Sequence, residues 1–249
     1  MWLNLRLQHF QLGGQQLLAL LGIVQLFRLP GGCQAAAMGA AGRRFVNEAD
    51  SYHDFVQGMY ASHKNAPTMP AWLICEADFV RRYGLGTVYP GTTRLAPFEQ
   101  AGYLVTAPSI EALAIRIGID SATLAATLQR YNELARAGHD ADFGKGNSEL
   151  NRFNGDAAQQ PNPCLRPLDK GPFYAVPIYP GDIGTNGGLK TDAKARVLGK
   201  DGAPIGGLYA IGNSAASAMG ESYPGAGVTI GPAMTFGFIA AQDMTGANA

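Results

Sequence analysis

The stretch that decides the fold reads IGGLYAIGN at residues 205–213, GESYPGAGVTIG at 220–231 and PAMTFGFIAA at 232–241. Residues 207–211 are an apolar run of strand character that stops at Gly212 and Asn213. A loop with four glycines follows at 220–231. The next segment reads as a helix, because Pro232 suits a first turn, where its missing N–H is no loss, and Thr229 or Gly231 can cap the start. Free N–H groups at that end point back into the glycine-rich loop. Together with the macrodipole, worth about half a positive charge there, they favour a group that becomes negative during reaction. Strand, glycine-rich turn and helix in that order indicate an α/β architecture. Such a turn alone serves phosphates, carboxylates or plain tight turns, so the neighbouring residues must decide what it holds.

Upstream, GDIGTNGGL at 181–189 leads into an alternating stretch at 188–198 that suggests a hairpin, and FYAVPI at 173–178 reads as a strand. A domain crossing is expected near Pro180. Ser109 caps a helix running to Gly118, and Ser121 caps a longer one to Gly138. In the longer helix Leu124, Leu128, Tyr131 and Leu134 share one face, so Tyr131 is expected at the edge of a core. Pro67, Pro70, Pro90, Pro97 and Pro108 break up residues 64–107 into loops and short strands, among them WLIC at 72–75. RRFVNE at 43–48 is a short strand or turn before a helix over 54–63. Residues 1–42 differ in character from all that follows. Their apolar run at 17–27 is shorter than the roughly 20 residues of a membrane span. The segment reads as signal-like or as a start-site artefact, with the artefact favoured and a cytoplasmic enzyme expected.

The 249 residues are 47% apolar, enough to bury a core across one or two domains. Nineteen basic residues balance nineteen acidic ones, which argues against nucleic acid as a partner. Cys33, Cys75 and Cys164 are far apart with no CxxC pair and no histidine at ligand spacing, so no metal site is expected and the thiols read as reduced. None of the four histidines, His9, His53, His63 and His139, has a triad context.

With the preceding strand and the helical Thr235-Phe236-Gly237, the 205–241 stretch resembles the C-terminal return segment of the flavoprotein superfamily that includes fumarate reductases and 3-ketosteroid dehydrogenases. Within it, Tyr223-Pro224-Gly225-Ala226-Gly227 resembles the 3-ketosteroid dehydrogenase form, in which a tyrosine and a glycine N–H hold the steroid 3-keto oxygen. That resemblance names Tyr223 and Gly227, and it sets Gly212, Asn213, Thr229, Ile230 and Gly231 where the family touches the flavin of FAD. RRFVNE resembles the motif that opens the superfamily's active site. Tyr52 falls where fumarate reductase-like members hold a proton-delivering arginine and the ketosteroid enzymes a tyrosine. The fold implied is a mixed α+β substrate domain over 43–180 and the C-terminal part of a Rossmann-like FAD-binding domain over 181–249.

The implied chemistry removes the C2 proton of a 3-ketosteroid while C1 gives hydride to flavin N5. Tyr223 O–H and Gly227 N–H would stabilise the enolate that develops, an effect of about 3 to 4 kcal/mol per donor. Tyr52 would take the proton. Its ordinary pKa near 10 makes it about three units too weak a base at neutral pH, a deficit of roughly 4 kcal/mol that the site must supply. No GxGxxG followed by an acidic residue about 20 positions on is found, so the phosphate-binding half of the flavin site is expected to be missing and the chain to be a truncated form. A separate polypeptide carrying that N-terminal half would complete it. Two other readings stay open: a flavoprotein acting on another unsaturated carbonyl compound, and a silent fragment that binds no flavin. The electron acceptor and the exact steroid stay open as well.

Overall fold

The computed structural model describes residues 34–181, 187–223 and 225–246. The apolar run at 17–27, Cys33, residues 182–186 of the GDIGTNGGL match and Pro224 lie outside the described residues. The chain divides into two compact units between Pro180 and Gly181.

The first unit is built on an antiparallel sheet of β1 (Ala36–Met38), β2 (Ala71–Glu76), β3 (Val105–Ala107) and β4 (Phe173–Ile178), ordered β1-β2-β4-β3. Leu73 pairs with Val176 and Ile74 with Ala175, so the two apolar runs AWLICE and FYAVPI lie side by side at the centre. Both are apolar throughout because both faces of the sheet are covered. Leu73, Cys75, Tyr174 and Val176 face one core with Phe55 and Met59 of α1 (Tyr52–His63) and Phe79 and Val80 of α2 (Ala77–Tyr83). Ile74, Phe173 and Ala175 face the other, with Leu113 of α4 (Ile110–Ile117) and Leu124, Leu128 and Tyr131 of α5 (Ser121–Ala137). Full burial of one such leucine is worth about 1.5–3 kcal/mol, so the stripe on α5 alone secures that layer.

Several boundaries differ from those read in the sequence. The cap of α5 is Asp120, whose carboxylate accepts from Thr123 N–H at 2.8 Å, and Ser121 is the first helical residue. The carboxylate both takes an orphan N–H and meets the positive end of the dipole, which a neutral serine cannot match. Helix α1 starts at Tyr52 rather than 54, with Ser51 Oγ accepting from Asp54 N–H at 3.2 Å. Residues 64–107 hold helices as well as strands: α2, and α3 (Ala96–Gln100), in which Pro97 opens a first turn instead of breaking a segment. Strand β1 lies within the stretch set apart as atypical, and its three residues are buried. Tyr131 is not at the core's edge but 1% exposed. After α5 comes α6 (Glu149–Phe153), to which the sequence reading gave no element.

The second unit holds β5 (Arg196–Leu198) paired with β6 (Pro204–Tyr209), a 3-10 turn at Gly212–Ser214 and α7 (Ile230–Thr245). Strand β6 begins three residues before the run read as a strand. The hairpin over 188–198 closes through a single bridge, Thr191 to Val197. Tyr209 O–H donates to Asp243 Oδ2 at 2.8 Å and Lys194 Nζ lies 2.9 Å from Asp243 Oδ1, which ties the strands to α7.

Candidate functional site

The chain just after β6, at Ile211 and Gly212, is held against α7 by close packing at two glycines. Gly212 has φ +56°, and a Cβ there would meet Ala233 Cβ at 3.1 Å; a Cβ on Gly237 would meet Ile211 at 3.3 Å. The end of the strand therefore lies flat on the helix, and glycine is needed at 212 for its left-handed backbone as well as for space. Thr229 occupies the N-cap position, as one of the two readings had it, but makes no side-chain cap bond, and Gly231 lies inside the first turn. The Thr229 hydroxyl is 3.2 Å from the Tyr223 hydroxyl instead.

The backbone N–H groups of Gly227, Thr229 and Ile230 find no acceptor among the described residues. Gly227 has φ +95°, and the space where a Cβ would stand is open. Unused donors at a helix start, with no side chain over the glycines, suit an electron-rich or anionic ligand edge. A cavity of about 480 Å³ opens beside them, lined by Gly212, Asn213, Tyr223, Thr229, Lys190 and Phe236 among others. Four of the residues named from the sequence thus share one wall. Gly227, Ile230 and Gly231 sit at the helix start outside that lining. Lys190 was not singled out from the sequence, and Phe236 was named only within the Thr235-Phe236-Gly237 run. Asp192 also lines the cavity, but Arg196 neutralises it, with Nε at 2.8 Å from Oδ2. Lys190 is exposed and makes no ion pair among the described residues, which leaves it the cavity's one unbalanced charge there.

Tyr52 belongs to the first unit, as the first residue of α1, half-buried and packed against the core that contains Phe55 and Met59. The RRFVNE motif just before it turns inward. Arg44 donates from Nε to Glu48 Oε1 at 2.9 Å and from Nη2 to Asp140 Oδ2 at 2.8 Å, and Lys145 Nζ lies 3.1 Å from Glu48 Oε2. The Arg44 guanidinium also stands 5.1 Å from the Tyr131 ring centre and 4.8 Å from that of Phe143. Burial alone would push the Glu48 carboxyl up, but the charges of Arg44 and Lys145 outweigh it and hold the group at about 2. Burial pushes Asp140 in the same direction, and the hydrogen bonds and charge of Arg44 hold it below its ordinary value. Arg44 and Glu48 of the motif therefore serve as anchors while Arg43 is exposed, and Asn47 and Asp50 shape the loop that ends at Tyr52.

The sequence profile of the FAD binding domain family matches residues 3–230. The chain is 41% identical over 243 residues to the 4-oxocyclohex-2-ene-1-carboxylate 5-dehydrogenase of Sinomonas cyclohexanicum, covering 98% of this chain and 40% of that protein. It is 40% identical over 209 residues to the 3-oxosteroid 1-dehydrogenase of Mycolicibacterium smegmatis, covering 82% of this chain and 37% of that protein. The crystal structure of 3-ketosteroid Δ1-dehydrogenase from Sterolibacterium denitrificans, in complex with 1,4-androstadiene-3,17-dione, matches with a TM-score of 0.80 at 42% identity, over 88% of this chain and 39% of that one. The chain thus spans about two fifths of the length of the curated relatives it matches. The family match begins at residue 3, within the stretch set apart in the sequence as atypical. The match over residues 3–230, most of the chain, means that this chain belongs to the FAD binding domain family.

Proposed function

We propose that the chain carries the ketone-binding part of a flavin-dependent dehydrogenase acting on a 3-ketosteroid. The observation that supports this best is the placing of the Tyr223 hydroxyl and the unused Gly227 N–H on one short loop before α7. Both would donate to the ketone oxygen, which becomes more negative as a proton leaves the adjacent carbon, so the bonds strengthen in the transition state. Thr229, in contact with the Tyr223 hydroxyl, orients it. Tyr52 would receive the proton. Gly212, Asn213 and Thr229 on the cavity wall, with Ile230 and Gly231 at the helix start, would hold the flavin ring. Bound FAD supplies the acceptor for the two electrons and second hydrogen that leave as the C=C bond forms. The remaining three fifths of the relatives' length, joined to this chain or supplied as a separate polypeptide, would carry the rest of the flavin site.

One observation favours a second reading. Lys190 on the cavity wall would suit a ring ketone that bears a carboxylate, as the name of the Sinomonas relative describes for its own substrate.

The test is the visible absorbance of the purified chain after incubation with FAD and removal of free ligand. A retained flavin band, followed by oxidation of a 3-ketosteroid with an artificial acceptor that falls about 10²- to 10³-fold in Tyr223→Phe, is the expected outcome. A retained band with no change in Tyr223→Phe would remove Tyr223 from the reaction. No retained band, even with the remaining flavin-site polypeptide added, would reduce the assignment to one of ancestry.

A further inference from the structure

The loop that delivers Tyr52 is held by one buried amide that no reading of the sequence picked out. Asn151, in α6, is 0% exposed. Its Oδ1 accepts from Asn47 Nδ2 and from Gly146 N–H, each at 3.0 Å, and its Nδ2 donates to Ala49 O and to Asp50 Oδ1, each at 2.9 Å. All four hydrogen-bonding positions of the amide are therefore used, three of them on residues 47, 49 and 50. Asn47 in turn accepts from Ala49 N–H at 2.9 Å, and Asn151 N–H is fixed by Ser148 Oγ at 3.1 Å. Two residues after Asp50 the chain enters α1 through Ser51, whose hydroxyl donates to Asp54 Oδ2 at 2.7 Å. The first helical side chain is Tyr52.

We propose that Asn151 is a positioning residue for Tyr52, an inference that rests on Tyr52 acting as the base in the reaction above. The amide spans more than a hundred positions to reach the loop, and it acts on backbone and carboxylate together, so its loss frees residues 47–50 as a group. Burial pushes the Asp50 carboxyl up while the hydrogen bond from Asn151 opposes it, which makes this loop sensitive to the same amide. A base displaced by even about 1 Å from its proton can lose 10²-fold in rate. Asn132 offers a matched control: it is also buried, and it exchanges two hydrogen bonds with Leu168, at 3.0 and 2.7 Å, with none to residues 43–52 among the described residues.

The experiment labels the full chain with ¹³Cζ-tyrosine, assigns the Tyr52 and Tyr223 signals by their loss in Tyr52→Phe and Tyr223→Phe, and compares Asn151→Ala with Asn132→Ala. The expected result is a shifted or broadened Tyr52 signal in Asn151→Ala alone, with Tyr223 unmoved. In the flavin-loaded enzyme, kcat should fall about tenfold or more while KM holds. If Asn151→Ala does not fold, Asn47→Ala, which removes one of the four bonds, is expected to give a smaller change in the same signal. An unchanged Tyr52 signal in the variant, or an equal change in Asn132→Ala, overturns the positioning role even where Tyr52→Phe abolishes turnover. Full turnover in Tyr52→Phe overturns it from the other side, by removing the base, whatever the signal shows.

Discussion

Tyr223 and Lys190 line the same cavity, and they ask different things of a ligand. The tyrosine offers a neutral donor to a ketone, whereas the lysine offers a full charge to an anion. Lys190→Met should therefore separate the two substrate readings. With a ring ketone that bears a carboxylate, KM is expected to rise about tenfold, the worth of one charge-assisted hydrogen bond, while KM for a neutral 3-ketosteroid stays within twofold. Equal KM values for both substrates in both proteins would remove Lys190 from recognition. Tyr223 stood out in the sequence because its neighbours Gly225 and Gly227 give it a context that a lone tyrosine lacks, and the structure places it on the cavity wall. Lys190 and Asn151 were not legible, since an exposed lysine and a lone asparagine are ordinary in sequence. Their significance comes only from what folding brings to them: a cavity wall in one case, and residues about a hundred positions away in the other.

At the scale of elements, the central strands and α5 were readable because their patterns are long and agree with their burial. Residues 173–178 form β4 as expected, and Leu124, Leu128, Tyr131 and Leu134 are all buried. The helix ends were less readable, because Asp120 and Ser121 are adjacent and both are good caps in principle. Geometry selects Asp120, whose carboxylate also accepts from Thr123 Oγ1 at 2.6 Å. Urea melts can separate the two: Asp120→Ala is expected to cost about 1 kcal/mol and Ser121→Ala only a few tenths. The reverse ranking would restore Ser121 as the cap. Strand β1 escaped the sequence reading because three residues of Ala-Ala-Met carry little strand preference of their own. Pairing with Trp72, Leu73 and Ile74, and the bond from Ala37 N–H to Glu48 Oε1 at 3.0 Å, hold it in place.

For the whole molecule, the first unit encloses Arg44, Glu48, Asp140 and Lys145 in its interior. Glu48 has a folded-state value of about 2 against an ordinary 4.5. Its contribution to stability is therefore complete above about pH 4.5 and is lost as pH falls toward 2, with Asp140 shifted in the same direction. Thermal melts of the native chain should fall steeply over that window. Glu48→Gln is expected to be less stable at pH 7 by about 3–5 kcal/mol, because Lys145 loses its carboxylate partner and Arg44 keeps only Asp140 of its two, and to show a shallower acid slope. An unchanged slope would mean that other carboxylates set the acid limit. The same enclosure makes one amine chemically silent. Lys145 is 0% exposed, while Lys64, Lys170, Lys190, Lys194 and Lys200 all reach solvent. An acylating reagent applied to the folded chain should mark those five within minutes and spare Lys145. Its slow appearance in a mass spectrum would then clock the opening of the first unit, with no probe attached and no substrate present.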